Sequence, residues 1–265
     1  MPLGDFEGEV LRVLAANRNP DSFLAGATVL HQASDSPRAS RDVDLFHDTT
    51  ESLAASYARD CATLVEAGFE VRPVGEPQVT FRRAFVQRND RQTKVEWVFD
   101  SAFRFFPIEP DLELGWRLNF WDAATNKILA LFGRHVVRDY LDCHYLHAHH
   151  LQIGPLIWAA AGKDGGLTPE LILDWARRST KYRIEDVEEL KMGRPVDLRE
   201  LKMTWMKATE EAGALFEKLP PAEMGCLYLD ASGRPVCPDP EAAEFGKLTR
   251  HFGSVRGAWP RIAEE

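Results

Sequence analysis

No apolar stretch of this sequence is long enough to cross a bilayer. The longest, such as "GPLIWAAAG" at 154–162, fall far short of the roughly 20 residues that a spanning helix needs. The opening "MPLGDFEGEV" carries acids and no basic segment, so no secretory signal is expected. Cysteine is scarce. The four present (Cys61, Cys143, Cys226, Cys237) are widely spaced with no CxxC pair, which argues against a disulfide framework or a zinc ribbon and for free thiols in a reducing cytoplasm. G-x-G-x-x-G and G-x-S-x-G are both missing. The Gly-Lys of "AAAGKDGG" lacks the earlier glycine and the following Ser/Thr of a P-loop. Repeats and low-complexity segments are absent too. Excess positive charge is lacking: the net charge of −9 argues against tight non-specific nucleic-acid binding by the whole surface, though not against a local basic patch.

What is present suits a globular protein. Hydrophobic residues make up 45 % and charged residues 28 % of the 265 positions, enough for one large domain or two small ones. Apolar spacing predicts helices over 5–17, over 50–69 with Thr50 as cap, over 123–135 capped by Asp122, and over 138–150. "SFLAGATVLHQA" reads as a strand, a turn at Gly26 and the start of a helix. "SRDVDLFH" reads as a strand. "QVTFRRAFVQ" and "QTKVEWVFD", separated by the polar "RNDR", read as a hairpin. The stretch "FRFFPIEPDLELGW" reads as irregular. Beyond about residue 150 helices dominate, over 167–179 and 197–219, the second with one apolar stripe through Leu201, Trp205, Ala208, Ala212, Leu215 and Phe216. "GCLYLDASGRPVC" reads as a late hairpin turning at Ser232-Gly233. An α+β N-terminal part followed by a mainly helical C-terminal part is expected.

The chemistry sits in "RDVDLF". Side chains alternate along a strand, so Asp42 and Asp44 share one face, roughly 6–7 Å apart, while Val43 and Leu45 take the other. "TKVEWVFD" repeats the pattern: Val95, Trp97 and Phe99 on one face, Lys94 and Glu96 on the other. If the strands are neighbours, three carboxylates converge. Each repelling pair costs about 1 kcal/mol in water and up to about 4 near a protein surface. A divalent cation reverses that sign. Oxygen-only ligands favour Mg²⁺ or Mn²⁺, and such a site suits phosphoryl or nucleotidyl transfer. Taken alone, D-x-D on a strand is more often an exposed face. Its company favours function: Gly26 at a strand-to-helix turn, and Arg38 and Ser40 just upstream, can all meet phosphate.

These residues in this order carry a resemblance. "LAGATVL…PRASRDVDLF" resembles the AbiEii/AbiGii nucleotidyltransferase toxin family of the DNA polymerase β superfamily. That family has a Gly-Gly-Thr or Gly-Ser turn and an R-x-S-x-D-x-D strand, matched by Arg38, Ser40, Asp42 and Asp44. Its K-x-[DE] motif is Lys94-Val95-Glu96. Its helical lysine before Ala-Leu is Lys127, and its R-D-x-x-D is Arg138, Asp139 and Asp142. The match spans roughly residues 23–146. Two departures stand out: Ala27 replaces the second Gly or Ser of the turn, with Thr28 as a substitute hydroxyl, and a long loop joins Ala27 to Asp42.

The resemblance implies a polymerase-β-type core over 1–110 and a mainly helical domain over 111–265 completing the cleft. It implies a cytoplasmic, non-membrane enzyme using Mg²⁺ (or Mn²⁺) and an NTP. Asp42, Asp44 and Glu96 would be the metal ligands, with Glu96 also helping to deprotonate the acceptor hydroxyl. Gly26, Ala27, Thr28, Arg38, Ser40 and Lys94 would line the nucleotide. Lys127 would neutralise the β- and γ-phosphates, and Asp139 would sit on the acceptor side or hold Lys127. The acceptor would be RNA such as tRNA, and the chain the toxin half of a toxin–antitoxin or phage-defence system with a cognate antitoxin. A catalytically weak nucleotide- or partner-binding module and an antibiotic-type small-molecule nucleotidyltransferase remain alternatives. Without the family, Lys127 reads as a solvated helix lysine, and Asp139 and Asp142 as helix-face acids pairing with arginines.

Other signals are weaker. "CHYLHAHH" places Cys143, His144, His147, His149 and His150 together, but no distant ligand pair completes a zinc site, so a His-rich helix end is preferred. Arg82, Arg83, Arg88, Arg91, Lys94 and Arg104, and the run Arg177, Arg178, Lys181 and Arg183, read equally as an RNA track or as solvated faces. Trp97 and Trp121 read as core.

Overall fold

The computed structural model describes residues 4–32, 42–178, 181–190 and 196–261. Chain contacts divide it into two compact units, 1–102 with 107–123, and 103–106 with 124–265.

The first unit contains α1 (Asp5–Ala15), β1 (Ser22–Leu24), α2 (Ala27–Leu30), β2 (Asp42–His47), α3 (Thr50–Glu66), β3 (Glu70–Pro73), β4 (Phe81–Arg88) and β5 (Arg91–Phe99). After β6 (Phe103–Arg104), which pairs in the second unit, it resumes with β7 (Glu109–Asp111) and β8 (Gly115–Arg117). Seven strands form one mixed sheet in the order β3-β4-β5-β2-β1-β8-β7. β2 runs parallel to β5 and antiparallel to β1. The α+β class and the strand expected at "DVDLFH" are borne out.

The alternation of β2 and β5 decides the sheet's two faces. Val43, Leu45, Val95 and Trp97 are buried against α1 and α3, where Leu11, Leu14, Leu53 and Leu64 complete the core. Asp42, Asp44, Lys94 and Glu96 point the other way and stay partly open. The cap of α3 is Thr49, one residue before the expected Thr50: its hydroxyl accepts from Ser52 N at 3.0 Å in a capping box. The hairpin turn is also tighter than "RNDR", because Arg88 pairs with Arg91 and Asn89 takes φ 53.

A polar network lies inside this core. The buried Arg18 guanidinium is gripped by the buried carboxylate of Asp60. Asp60 also accepts from Trp97 Nε1 at 2.7 Å and from Ser56 Oγ at 3.2 Å. Ser22 Oγ bridges to His47 Nε2 at 2.9 Å. Burial pulls the Arg18 guanidinium down from its ordinary value, with the charge of Asp60 opposing. Burial likewise lowers His47 to about 4, Arg18 adding to the effect and Asp60 and the Val98 carbonyl opposing it. A histidine depressed in the folded state leaves the unfolded chain holding the extra proton between pH 6.5 and 4. Its stabilising contribution is therefore complete above 6.5, shrinks through that window and is gone below 4, an expected loss of about 3 kcal/mol. Chemical denaturation at pH 7 and pH 4.5 should show a clearly smaller drop in His47→Gln than in the wild type; equal drops contradict the assignment.

The second unit contains the bulk of α4 (Phe120–Arg134), then α5 (Val137–His149), α6 (Ile153–Ala161), α7 (Pro169–Arg178), α8 (Ile184–Glu188), α9 (Leu198–Phe216), β9 (Cys226–Leu229), β10 (Thr249–Phe252) and β11 (Ser254–Val255), which pairs with β6. α4 starts at Phe120, before the expected Asp122 cap; Asn119 Oδ1 accepts from Trp121 N at 2.9 Å instead. α6 is buried on every side and packs on α7, α9 and β9, so it has no amphipathic period to betray it. The late hairpin does turn at Gly233, with φ 78: the Asp230 amide donates to the Arg234 carbonyl and the Val236 amide to the Tyr228 carbonyl, both at 2.9 Å, around a short antiparallel Leu229–Pro235 bridge. The longer ladder of β9, not expected, runs to β10. Among the described residues no helix is long and apolar enough to cross a membrane.

Candidate functional site

The parallel β2–β5 register sets Asp42 opposite Lys94 and Asp44 opposite Glu96. Neighbouring strands lie about 4.8 Å apart, so these four side chains project from one small patch. Lys94 Nζ sits between two acids, 3.1 Å from Asp42 Oδ2 and 3.0 Å from Glu96 Oε1. Burial works against the Lys94 ammonium, yet its hydrogen bond to Glu96 and the charges of Asp42 and Glu96 outweigh that, and its pKa is raised. Arg83, opposite Glu96 on β4, donates to Glu96 Oε1 from Nε at 2.8 Å.

Asp44 turns elsewhere, towards Gly26. Gly26 has φ 69 and ψ −153, a conformation essentially confined to glycine, and a Cβ built there would fall on Asp44 Oδ2. The Ala25 amide donates to the Asp44 carbonyl at 3.0 Å, which locks the turn to β2. Gly26→Ala is therefore expected to cost about 1–3 kcal/mol of stability and to displace the Asp44 carboxylate. Denaturation and nucleotidyl transfer measure the two effects; an unchanged midpoint contradicts a steric clash at Gly26. Ala27 is buried, and Thr28 is buried with its hydroxyl 3.5 Å from the Asp42 carbonyl, a long contact directed at the strand. Arg38 and Ser40 lie outside the described residues.

Among the described residues, no three His, Cys, Asp or Glu side chains form a ready metal cluster. Asp42 and Glu96 are held on a lysine, and Asp44 lies against Gly26. The donor set is nonetheless hard oxygen, and a cation already bridges two of its members. Both observations fit Mg²⁺ or Mn²⁺ at Asp42, Asp44 and Glu96.

In the second unit, Lys127 is buried rather than solvated. Its ammonium lies 2.9 Å from Asp139 Oδ1 and 3.0 Å from Asp142 Oδ2, both carboxylates fully buried. Arg134 donates to Asp139 Oδ2 from Nε at 3.1 Å. The i,i+3 spacing of Asp139 and Asp142 on α5 presents both to one lysine of α4.

Sequence reasoning placed Arg83 in a basic patch and missed it as the partner of Glu96, although the hairpin register alone sets the two opposite. The rest of that patch is largely paired: Arg88 and Arg91 both reach Glu9, and Arg88 lies over the Phe69 ring. In the other run, Arg178 stacks on Trp175 and Arg177 reaches Asp174 at 3.5 Å. Trp97 is core, as expected, whereas Trp121 is half-buried.

Two solved structures share this fold. JHP933 from Helicobacter pylori is 17 % identical with a TM-score of 0.56, over 82 % of this chain and 95 % of that one. MenT4, a nucleotidyltransferase toxin from Mycobacterium tuberculosis H37Rv, is 15 % identical with a TM-score of 0.54, over 82 % and 83 %. No curated protein matches the sequence. The family model described as "Nucleotidyl transferase AbiEii toxin, Type IV TA system" matches residues 11–200, well over half of the chain. The chain belongs to the AbiEii nucleotidyltransferase toxin family and is a nucleotidyltransferase.

Proposed function

We propose that this enzyme is metal-dependent and moves a nucleoside monophosphate from an NTP to an acceptor hydroxyl, with RNA such as tRNA as acceptor. We further propose that it acts as the toxin of a toxin–antitoxin or phage-defence pair with a cognate antitoxin. The observation that carries this reading is the β2–β5 face, where Asp42, Asp44 and Glu96 stand in register and a cation already joins two of them. Mg²⁺ or Mn²⁺ held by these three carboxylates supplies charge neutralisation for the triphosphate.

The chain's own groups do the remainder. Glu96, fixed by Arg83, takes the acceptor hydroxyl proton. The acceptor oxygen bonds to the α-phosphorus as the α–β anhydride bond breaks, and pyrophosphate leaves with the electron pair. Gly26 admits close backbone approach, with Ala27, Thr28, Lys94, Arg38 and Ser40 assigned to the nucleotide. Lys127, held by Asp139, supplies positive charge for the phosphates. Residues 1–110 are assigned as the nucleotidyltransferase core and 111–265 as a helical domain. One further reading, a nucleotide-binding chain with weak transfer, is favoured by Ala27 and by the Thr28 hydroxyl turned towards β2.

Incubation with each α-labelled NTP, Mg²⁺ and separate RNA, protein and small-hydroxyl acceptors tests the proposal. Label on RNA is expected. Label only on protein or a small molecule overturns the acceptor, and NTP binding without transfer to any of them supports the second reading.

A further inference from the structure

Resting on the metal reading above, we infer that Lys94 is a built-in counter-ion that occupies the cation's place in the metal-free chain and must swing out before the metal binds. The ammonium reaches across from β5 to β2 and contacts one oxygen of each flanking acid, at 3.1 and 3.0 Å. Glu96 is already supported by Arg83, so neutralising Glu96 alone does not require Lys94. Lys94 also meets Asp42, its cross-strand neighbour on β2. Magnesium or manganese would draw the same carboxylates to about 2.1 Å. That leaves no room for an ammonium between them, and the two cations repel.

Binding is then an exchange, and the apparent affinity is the intrinsic affinity reduced by the fraction of chains with Lys94 withdrawn. Asp42 and Glu96 stay gathered without metal, and the displaced ammonium becomes available to the incoming triphosphate. This gives the K-x-E pattern a role for its first residue that the carboxylate does not share.

The test uses Mn²⁺ alone with the full chain, read by the paramagnetic signal of free Mn²⁺ and by thermal unfolding. Lys94→Met is expected to bind Mn²⁺ about tenfold more tightly than the wild type, the gain for a withdrawn state near one in ten. Its metal-free unfolding temperature should fall and its rise on adding Mn²⁺ should exceed that of the wild type. Lys94→Gln, which keeps a donor without the charge, should tighten binding likewise and covers the case in which methionine disturbs folding. Arg72→Gln removes one charge from half-exposed β3 without touching the acids and should leave affinity within about twofold. Wild-type affinity in both Lys94 variants overturns the exchange while leaving the metal reading intact, and so does an equal gain in Arg72→Gln. Absence of Mn²⁺ binding in every variant overturns both.

Discussion

Asp44→Asn should lower nucleotidyl transfer by about a thousandfold or more while leaving the fold intact, an effect of the size seen when a group stabilising transition-state charge is removed. Asparagine has nearly the shape of aspartate, so the fit against Gly26 survives and the steric part of the site is unchanged. What disappears is one negative charge on the face that Asp42 and Glu96 share with it. A loss in transfer rate with little change in unfolding midpoint is the expected signature. Transfer within about tenfold of the wild type would remove Asp44 from the chemistry.

Asp60→Ala should be the most destabilising single change in the first unit, by about 3–5 kcal/mol, because it leaves a buried guanidinium without its counter-charge. Asp60 is fully buried, and Arg18 is nearly so. The carboxylate also accepts from Trp97 Nε1, Ser56 Oγ and Asn17 Nδ2, so alanine removes the acceptor of three neutral donors as well as the counter-charge. Arg18→Met/Asp60→Leu should recover a large part of the loss, since it removes both charges and leaves only the neutral donors. A single-variant cost below about 1 kcal/mol would show that water or a shifted side chain replaces Asp60.

The legibility of this molecule follows the range of the interactions involved. "DVDLFH" and "TKVEWVF" were readable because one face of each strand must be apolar, and that alternation also fixed which side the acids take. Asp60 was not readable: on the sequence it is one acid among many on an amphipathic helix, and only Arg18, 42 positions away, gives it meaning. Lys127 taken by itself misled for the same reason, since its burial depends on Asp139 and Asp142 from the next helix, whereas the family resemblance did anticipate the contact with Asp139. The short strands β3, β7 and β8 have three or four residues and take their order from sheet neighbours rather than from a pattern of their own. The β9–β10 pairing spans a long connection, which local turn chemistry at Ser232-Gly233 could not anticipate. The family resemblance supplied what geometry alone leaves open, namely the reaction for which this acidic face is built.

The central claim is that the β2–β5 face performs metal-dependent nucleotidyl transfer. Its most direct test is α-labelled NTP incubated with the purified chain and total RNA, in EDTA and then with Mg²⁺ or Mn²⁺ restored. No label on RNA is expected in EDTA, label when either metal returns, and pyrophosphate released in equal amount. Undiminished labelling in EDTA would contradict that claim.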